Sequence, residues 1–240
     1  MRGLALAGLV VAGCGRLGFD GDAARADDVI ALDAGDPTLA LWFSFDGGFD
    51  ELISGRVATC TPASTCPTIV PGKHGMAVQF DGIDDCLQLP DDGATDTPVF
   101  TLAAWLNQPE YGEYSPFAKP FAVQTTIFNS WQIEEHTAAT LGFTTHDAGR
   151  HDVMLISEPS VGVWHHIAMT FDGSQKQIYI DGALAMTQGE PDAVQFDSGP
   201  VLVGCDINGG VLAYPYKGVV DGARFYRRVL GVAEIAALAQ

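Results

Sequence analysis

From Leu39 onward, apolar and polar positions alternate along most of this chain. Leu39, Leu41, Phe43 and Phe45 fall on one side and Ala40, Trp42 and Ser44 on the other, the period of two that marks a strand. Similar segments follow at 76–80, 86–89, 101–108, 126–133, 140–146, 152–157, 164–171, 177–180, 201–205 and 218–228. Turn dipeptides punctuate them: Asp46-Gly47, Asp81-Gly82, Asp92-Gly93, Asp172-Gly173, Asp181-Gly182 and Asp221-Gly222. Asp181-Gly182, set between Ile178-Tyr179-Ile180 and Ala183-Leu184-Ala185, predicts a two-residue hairpin. Stretches 101–106 and 164–171 are apolar on both faces, which places them centrally in stacked sheets. Only residues 232–239 carry a helical pattern. The expected fold is all-β: about ten strands in two antiparallel sheets, a jelly-roll sandwich, with a short C-terminal helix. No internal repeat of about 20–50 residues is apparent.

The pattern changes before Leu39. Residues 15–36 are rich in Gly, Ala and Asp (Asp20, Asp22, Asp27, Asp28, Asp33, Asp36) and lack an apolar face, as expected of a flexible acidic tether. Further upstream, Met1-Arg2 and the apolar run 3–11 read as a secretory signal, too short for the about 20 residues a membrane-spanning helix needs. The junction Val11-Ala12-Gly13-Cys14 resembles the lipobox of bacterial lipoproteins. That resemblance implies cleavage before Cys14 and lipidation of its thiol and new amino terminus. An anchor of several acyl chains, at about 0.8 kcal/mol per buried methylene, is effectively permanent. The expected division is therefore a signal peptide at 1–13, a lipidated tether at 14–36 and a folded domain at 37–240. Residue 15 is Gly where some bacteria use Asp to retain lipoproteins at the inner membrane, so the outer membrane of a bacterial envelope is the preferred location.

Composition narrows the function. Hydrophobic residues make up 47% and charged residues 18%, enough for one domain with a sizeable core. Lys and Arg number 12 against 30 Asp and Glu, a net charge of −18, which repels phosphate backbones and excludes nucleic-acid binding. The same field attracts divalent cations. Without Cys14, four cysteines remain in an exported chain, an even number that suggests two disulfides among three connectivities. Cys60 and Cys66 share one Pro/Thr/Ser loop and are expected to pair locally, leaving Cys86 with Cys205. In the loop-entropy model these contribute about 2.4 and about 5 kcal/mol. No Cys-x-x-Cys pair occurs, so neither a zinc ribbon nor a thioredoxin-like site is supported.

Several blocks resemble the laminin-G-like, concanavalin-A-like jelly-roll family. They are Leu41-Trp42-Phe43-Ser44-Phe45-Asp46-Gly47, Phe80-Asp81-Gly82-Ile83-Asp84-Asp85, Phe100-Thr101-Leu102-Ala103-Ala104-Trp105 and Trp164-His165-His166-Ile167-Ala168. Tyr179-Ile180-Asp181-Gly182, the run Gly218-Val219-Val220-Asp221-Gly222-Ala223-Arg224-Phe225-Tyr226, and Arg228-Val229-Leu230 with Glu234, Ile235 and Leu238 continue the match in the family's order, across residues 39–238. Two positions depart from it. Cys86 stands where the family is usually aromatic and Cys205 follows Gly204 where it is usually small, and that both are Cys supports their pairing.

The resemblance also frames the chemistry. Laminarinase-type glycoside hydrolases of this fold carry Glu-x-Asp-x-(x)-Glu on one strand, with the acid and nucleophile on one face about 5–5.5 Å apart. This chain has no such motif. Glu134-Glu135 is the nearest approach, and adjacent strand residues point to opposite faces. No Gly-x-Ser-x-Gly elbow marks a Ser-His-Asp site, and His165-His166 match the family pattern in a structural role. His136, His146 and His151 with Asp147 and Asp152 match no standard metal-ligand spacing. Related folds hold a structural calcium between the first long loop and the last strand, which implies Asp221 as a side-chain ligand with Asp46, Asp50 or the Gly55 carbonyl. The Asp81, Asp84, Asp85 cluster reads as a turn. In the loop 107–123, Tyr111, Tyr114, Phe117 and Phe121 alternate with Pro and Gly, and with Trp131 they are candidates for stacking on sugar rings.

These readings favour a non-catalytic binding or adhesion module, held to a membrane by lipid and engaging glycans or protein surfaces. A polysaccharide hydrolase and a structural envelope protein are the alternatives, and the fold does not decide among them.

Overall fold

The computed structural model describes residues 33, 35–60, 62, 66–123, 129–146, 151–189 and 193–240, with the backbone alone at 151–154. Cys14 and the tether before Asp33 lie outside the described residues. Among the described residues, sixteen strands and a C-terminal helix follow in order. They are β1 Leu39–Phe43, β2 Thr68–Pro71, β3 Met76–Asp81, β4 Leu87–Leu89, β5 Phe100–Asn107, β6 Tyr114–Pro120, β7 Asn129–His136 and β8 Thr140–His146. Then come β9 His151–Ser157, β10 His165–Phe171, β11 Gln175–Ile180, β12 Ala183–Gly189, β13 Val201–Val203, β14 Asp206–Asn208, β15 Val211–Ala213, β16 Lys217–Tyr226 and α1 Val232–Leu238.

The strands form two antiparallel sheets. The larger runs β12-β11-β10-β5-β16-β3-β2, with β1 also paired to β16, and the smaller runs β4-β13-β6-β7-β8-β9. As their two-sided apolar pattern requires, β5 and β10 sit in the middle of the larger sheet, Ala103 opposite Ala168. The Asp181-Gly182 turn joins β11 to β12 with φ of 50° and 79°, the two positive values a type I′ hairpin needs. A third pair, β14-β15, forms a separate hairpin.

Aromatic rings join the two sheets. Phe100 of β5 stacks on Phe225 of β16 at 5.4 Å and meets Phe143 of β8 edge-on at 6.1 Å. Trp131 of β7 lies 5.4 Å from Phe225 and 5.0 Å from Phe117 of β6. All five are fully buried. Each such side chain contributes about 1.5–3 kcal/mol on leaving water. The opposite face of the larger sheet is covered by α1, whose Ile235 and Leu238 share a cluster with Leu39, Ala103, Ala168, Tyr179 and Tyr226.

The folded unit reaches back to Asp33. Its carboxylate is buried, accepting from Arg224 Nε at 2.8 Å and from the Tyr226 hydroxyl, and the Arg224 guanidinium lies 4.9 Å over the Trp42 ring. Asp36 pairs with Arg228 at 2.6 Å, and Arg228 also holds Glu234 in the first turn of α1. Two acids of the expected tether are thus ligands for cations of the last strand and the segment after it. Cys60–Cys66 and Cys86–Cys205 are both bonded, with Cα separations of 5.2 and 5.3 Å. Among the described residues no helix is long and apolar enough to cross a membrane.

Candidate functional site

Strand parity decides what the smaller sheet shows to solvent. Along β7, Trp131, Ile133 and Glu135 turn into the sandwich, so Gln132, Glu134 and His136 point away from it. The β14-β15 hairpin folds over that outer face. It is fixed at its base: Gly204 N–H donates to Pro116 O at 3.0 Å, Ser115 N–H to Tyr214 O at 3.0 Å, and Cys205 is bonded to Cys86. Gly204 has φ 80°, and a Cβ there would lie 2.0 Å from the Phe80 ring, so only Gly fits. Between hairpin and β7 lies a cleft of about 370 Å³, lined among others by Tyr114, Asn129, Gln132, His136, Asp206 and Tyr214.

The floor of the cleft is a buried polar network. Asn129 Nδ2 donates to Asp206 Oδ2 at 2.9 Å and to Gln132 Oε1 at 2.5 Å. Gln132 Nε2 donates to Ser115 Oγ at 3.0 Å and to Asp206 Oδ2 at 3.3 Å. The Ile207 amide holds the other Asp206 oxygen at 2.7 Å. Burial nevertheless pushes the Asp206 carboxyl up to about 6, since those bonds only partly offset its desolvation. Asn129 Oδ1 is buried with no hydrogen-bond partner. On the sheet beside it, Thr144 Oγ1 donates to Glu134, and His136 Nε2 lies 3.6 Å from Glu134 Oε1. The walls are aromatic: Tyr114, whose ring meets Tyr216 edge-on at 5.7 Å, and Tyr214, which is 40% exposed. A pocket of this size with converging amide and carboxylate groups between two phenol rings suits a polyhydroxylated ligand.

Glu135 belongs to a different network. Turned inward and buried, it lies beside Glu158, whose Oε1 accepts from Gln108 Nε2. Tyr216 donates to Gln108 Oε1 at 3.2 Å. Burial and the neighbouring Glu158 raise Glu135 well above the carboxylate range, and burial carries Glu158 to about 7. Both glutamates border the cleft, but their side chains leave β7 on opposite faces.

A family model described as the concanavalin A-like lectin/glucanases superfamily matches residues 81–236, well over half of the chain. The chain belongs to this superfamily. Solved structures agree on the fold. The binding domain of Paraclostridial mosquitocidal protein 1 superposes with a TM-score of 0.68 at 15% identity, over 84% of this chain and 52% of that one. Domain 4 of AbnA, a GH43 extracellular arabinanase from Geobacillus stearothermophilus in complex with arabinotriose, gives 0.62 at 18% identity, over 85% of this chain and 98% of that one. The binding domain of botulinum neurotoxin serotype G gives 0.62 at 14%, over 84% and 50%. The chain thus spans about half the length of the toxin chains it matches and nearly all of the arabinanase domain. No curated protein matches it significantly by search.

Against this superfamily fold, the residues singled out from the sequence separate. Tyr114 lines the cleft, while Tyr111 is exposed outside its lining. Phe117 and Trp131 are corrected: both are fully buried in the core and present no surface to a ligand, because parity on β6 and β7 turns them inward. The expected calcium residues gather only in part. Asp221 is buried and accepts the His74 amide at 2.8 Å, and Asp46 accepts the Met76 amide at 2.8 Å, so both serve the turn before β3. Asp50 pairs through its backbone with Val57, and the Gly55 amide donates to Glu51 O. Asp46, Asp50 and Asp221 form no carboxylate cluster; among the described residues the one such group is Asp81, Asp84 and Asp85. His136 and His146 line the cleft, whereas Asp147 and the side chains of His151 and Asp152 lie outside the described residues. Sequence reading passed over Asn129, Gln132, Asp206 and Tyr214. The usable signal was Gly209-Gly210 between Asp206-Ile207-Asn208 and Val211-Leu212-Ala213, a hairpin turn that would have placed Asp206.

Proposed function

We propose that this protein is a glycan-binding module, displayed on a bacterial membrane through a lipidated Cys14. The observation that carries the reading is the cleft itself: a hydrogen-bonded Asn129-Gln132-Asp206 floor between Tyr114 and Tyr214, held open under a disulfide-anchored hairpin. Planar amides and a carboxylate discriminate among sugar hydroxyls, and phenol rings offer faces to sugar rings. The arabinotriose complex of the similar arabinanase domain supports an oligosaccharide as first probe. Calorimetric titration of the purified mature protein with arabinotriose, followed by a broad glycan array, tests this. Binding should weaken at least about tenfold in Asp206→Ala and in Tyr214→Ala, a loss of one charged hydrogen bond or one ring contact. Silence across both panels ends the glycan reading. Intact-mass analysis of the membrane fraction tests the anchor, which requires an acylated chain beginning at Cys14.

A further inference from the structure

Three side chains outside the cleft form a hydrogen-bonded relay at one end of the larger sheet. Ser160 lies in the loop between β9 and β10, His165 opens β10, and Asp181 begins the β11–β12 turn. Ser160 Oγ is 3.1 Å from His165 Nε2, and His165 Nδ1 is 2.8 Å from Asp181 Oδ2. A carboxylate can only accept, so Nδ1 carries a proton, and in the neutral imidazole Nε2 is left to accept from the Ser160 hydroxyl. We propose that Ser160, His165 and Asp181 form a nucleophilic site that cleaves short carboxylic esters.

The surroundings hold each group in its role. Asp181 is fixed twice to the next residue of β10: its Oδ1 accepts the His166 amide at 2.9 Å and its own amide donates to His166 O at 2.8 Å. That clamp and its positive φ aim Oδ2 at His165. The serine loop is tied down where the Gly162 amide donates to Gln108 O at 2.7 Å. The His165 side chain is 17% exposed and Ser160 is exposed, so a substrate can reach the hydroxyl while the imidazole stays shielded. Beside Ser160 and His165 is a pit of about 10 Å³ lined by Leu106, Leu141 and Ile167 and by the polar Gln108 and Glu135. A pit of that size takes a group no larger than about a water molecule, so it leaves no room for a long acyl chain.

The reaction balances with water as the second reactant. Ser160 Oγ bonds to the acyl carbon while its proton passes to His165 Nε2. The ester C–O bond breaks and the alcohol leaves with that proton. Water then attacks the acyl-serine, giving its proton to Nε2, and the carboxylic acid departs as Ser160 is restored. Asp181 holds the imidazole in the required tautomer and stabilises its charged form without itself being protonated.

A biotinylated fluorophosphonate reads the site directly, since Oγ–P forms as P–F breaks and hydrogen fluoride is released. The full mature protein should be labelled on Ser160, located by peptide mass mapping, and should release a burst of nitrophenol from p-nitrophenyl acetate. Ser160→Ala, on an exposed loop, should abolish both. His165→Ala should slow labelling at least about 100-fold, the usual contribution of a general base. Asp181→Asn keeps a residue suited to the type I′ turn and should slow labelling at least tenfold, by about the same route. A relay with only a structural role predicts no phosphonylated Ser160, or labelling indifferent to His165; either result overturns the proposal. Glycan binding is read separately, so loss of one function leaves the other measurable.

Discussion

At the level of single residues, what a strand side chain does is set by the face it lands on. Trp131 and Gln132 are neighbours, yet the first fills the core and the second floors the cleft. Trp131→Ala should cost about 3–5 kcal/mol, because it empties the space between Phe117 and Phe225. Tyr214→Ala, at an exposed ring, should move stability by no more than about 0.5 kcal/mol. Urea denaturation of both variants checks the contrast; equal losses would mean that the wrong ring has been assigned to the core. The same parity was legible for Glu134 and Glu135, where adjacency alone separated the carboxylates. It was not legible for Trp131, because composition marks an aromatic as suitable for a sugar or a core and only the strand's register decides. Lys119 shows a further limit. It is fully buried, held by Asp91 at 2.5 Å and by the Gly199 carbonyl at 3.0 Å, partners that lie far away in sequence.

Elements were easier to read than contacts. Apolar runs located the central strands β5, β10 and β16, since those signals are local and strong, although Asp221-Gly222 proves to be an irregularity inside β16 and not a turn between strands. Pro116 and Pro120 interrupt the pattern of β6 and give it the look of a loop; its pairing with β7 shifts register at just those ends. β2 is largely exposed and lacks a buried face to produce alternation. The β14-β15 hairpin leaves only the Gly209-Gly210 turn as a sequence signal: it is three residues on each side, and the Cys86–Cys205 bridge stands at its base. Opening that bridge in Cys86→Ala/Cys205→Ala should lower stability by up to about 5 kcal/mol in the loop-entropy model, given a sequence separation of 119 between the cysteines. The hairpin should loosen first. Hydrogen exchange should therefore rise at residues 206–214 before it rises in β5 or β16. Exchange that rises uniformly would show that the bridge supports the whole sandwich and not the cleft in particular.

For the molecule as a whole, the buried acids set the pH response. Glu158 titrates near 7 in the folded chain against 4.5 as its ordinary value, and Asp206 and Asp221 titrate near 6 against 3.8. Each folded carboxyl thus holds its proton over a range in which the unfolded chain has lost it. The stability they contribute is complete below about pH 4 and is lost as pH rises through 6 to 7. His166 acts in the opposite sense. Buried against Trp105 and lowered to about 3, it disfavours the fold while the unfolded imidazole is charged, so its penalty disappears as pH rises through 6.5. Three raised carboxyls, with Glu135 raised as well, outweigh His166 and His74, which burial lowers in the same sense, and the net charge of −18 adds repulsion as acids ionise. The wild-type urea midpoint should therefore fall between pH 5 and pH 7.5. Glu158→Gln removes the group that titrates nearest neutrality and keeps the oxygen that accepts from Gln108, so its midpoint should fall clearly less over the same interval. A variant that tracks the wild type would mean that Glu158 is already ionised at pH 5 and that the Glu135–Glu158 pair shares no proton.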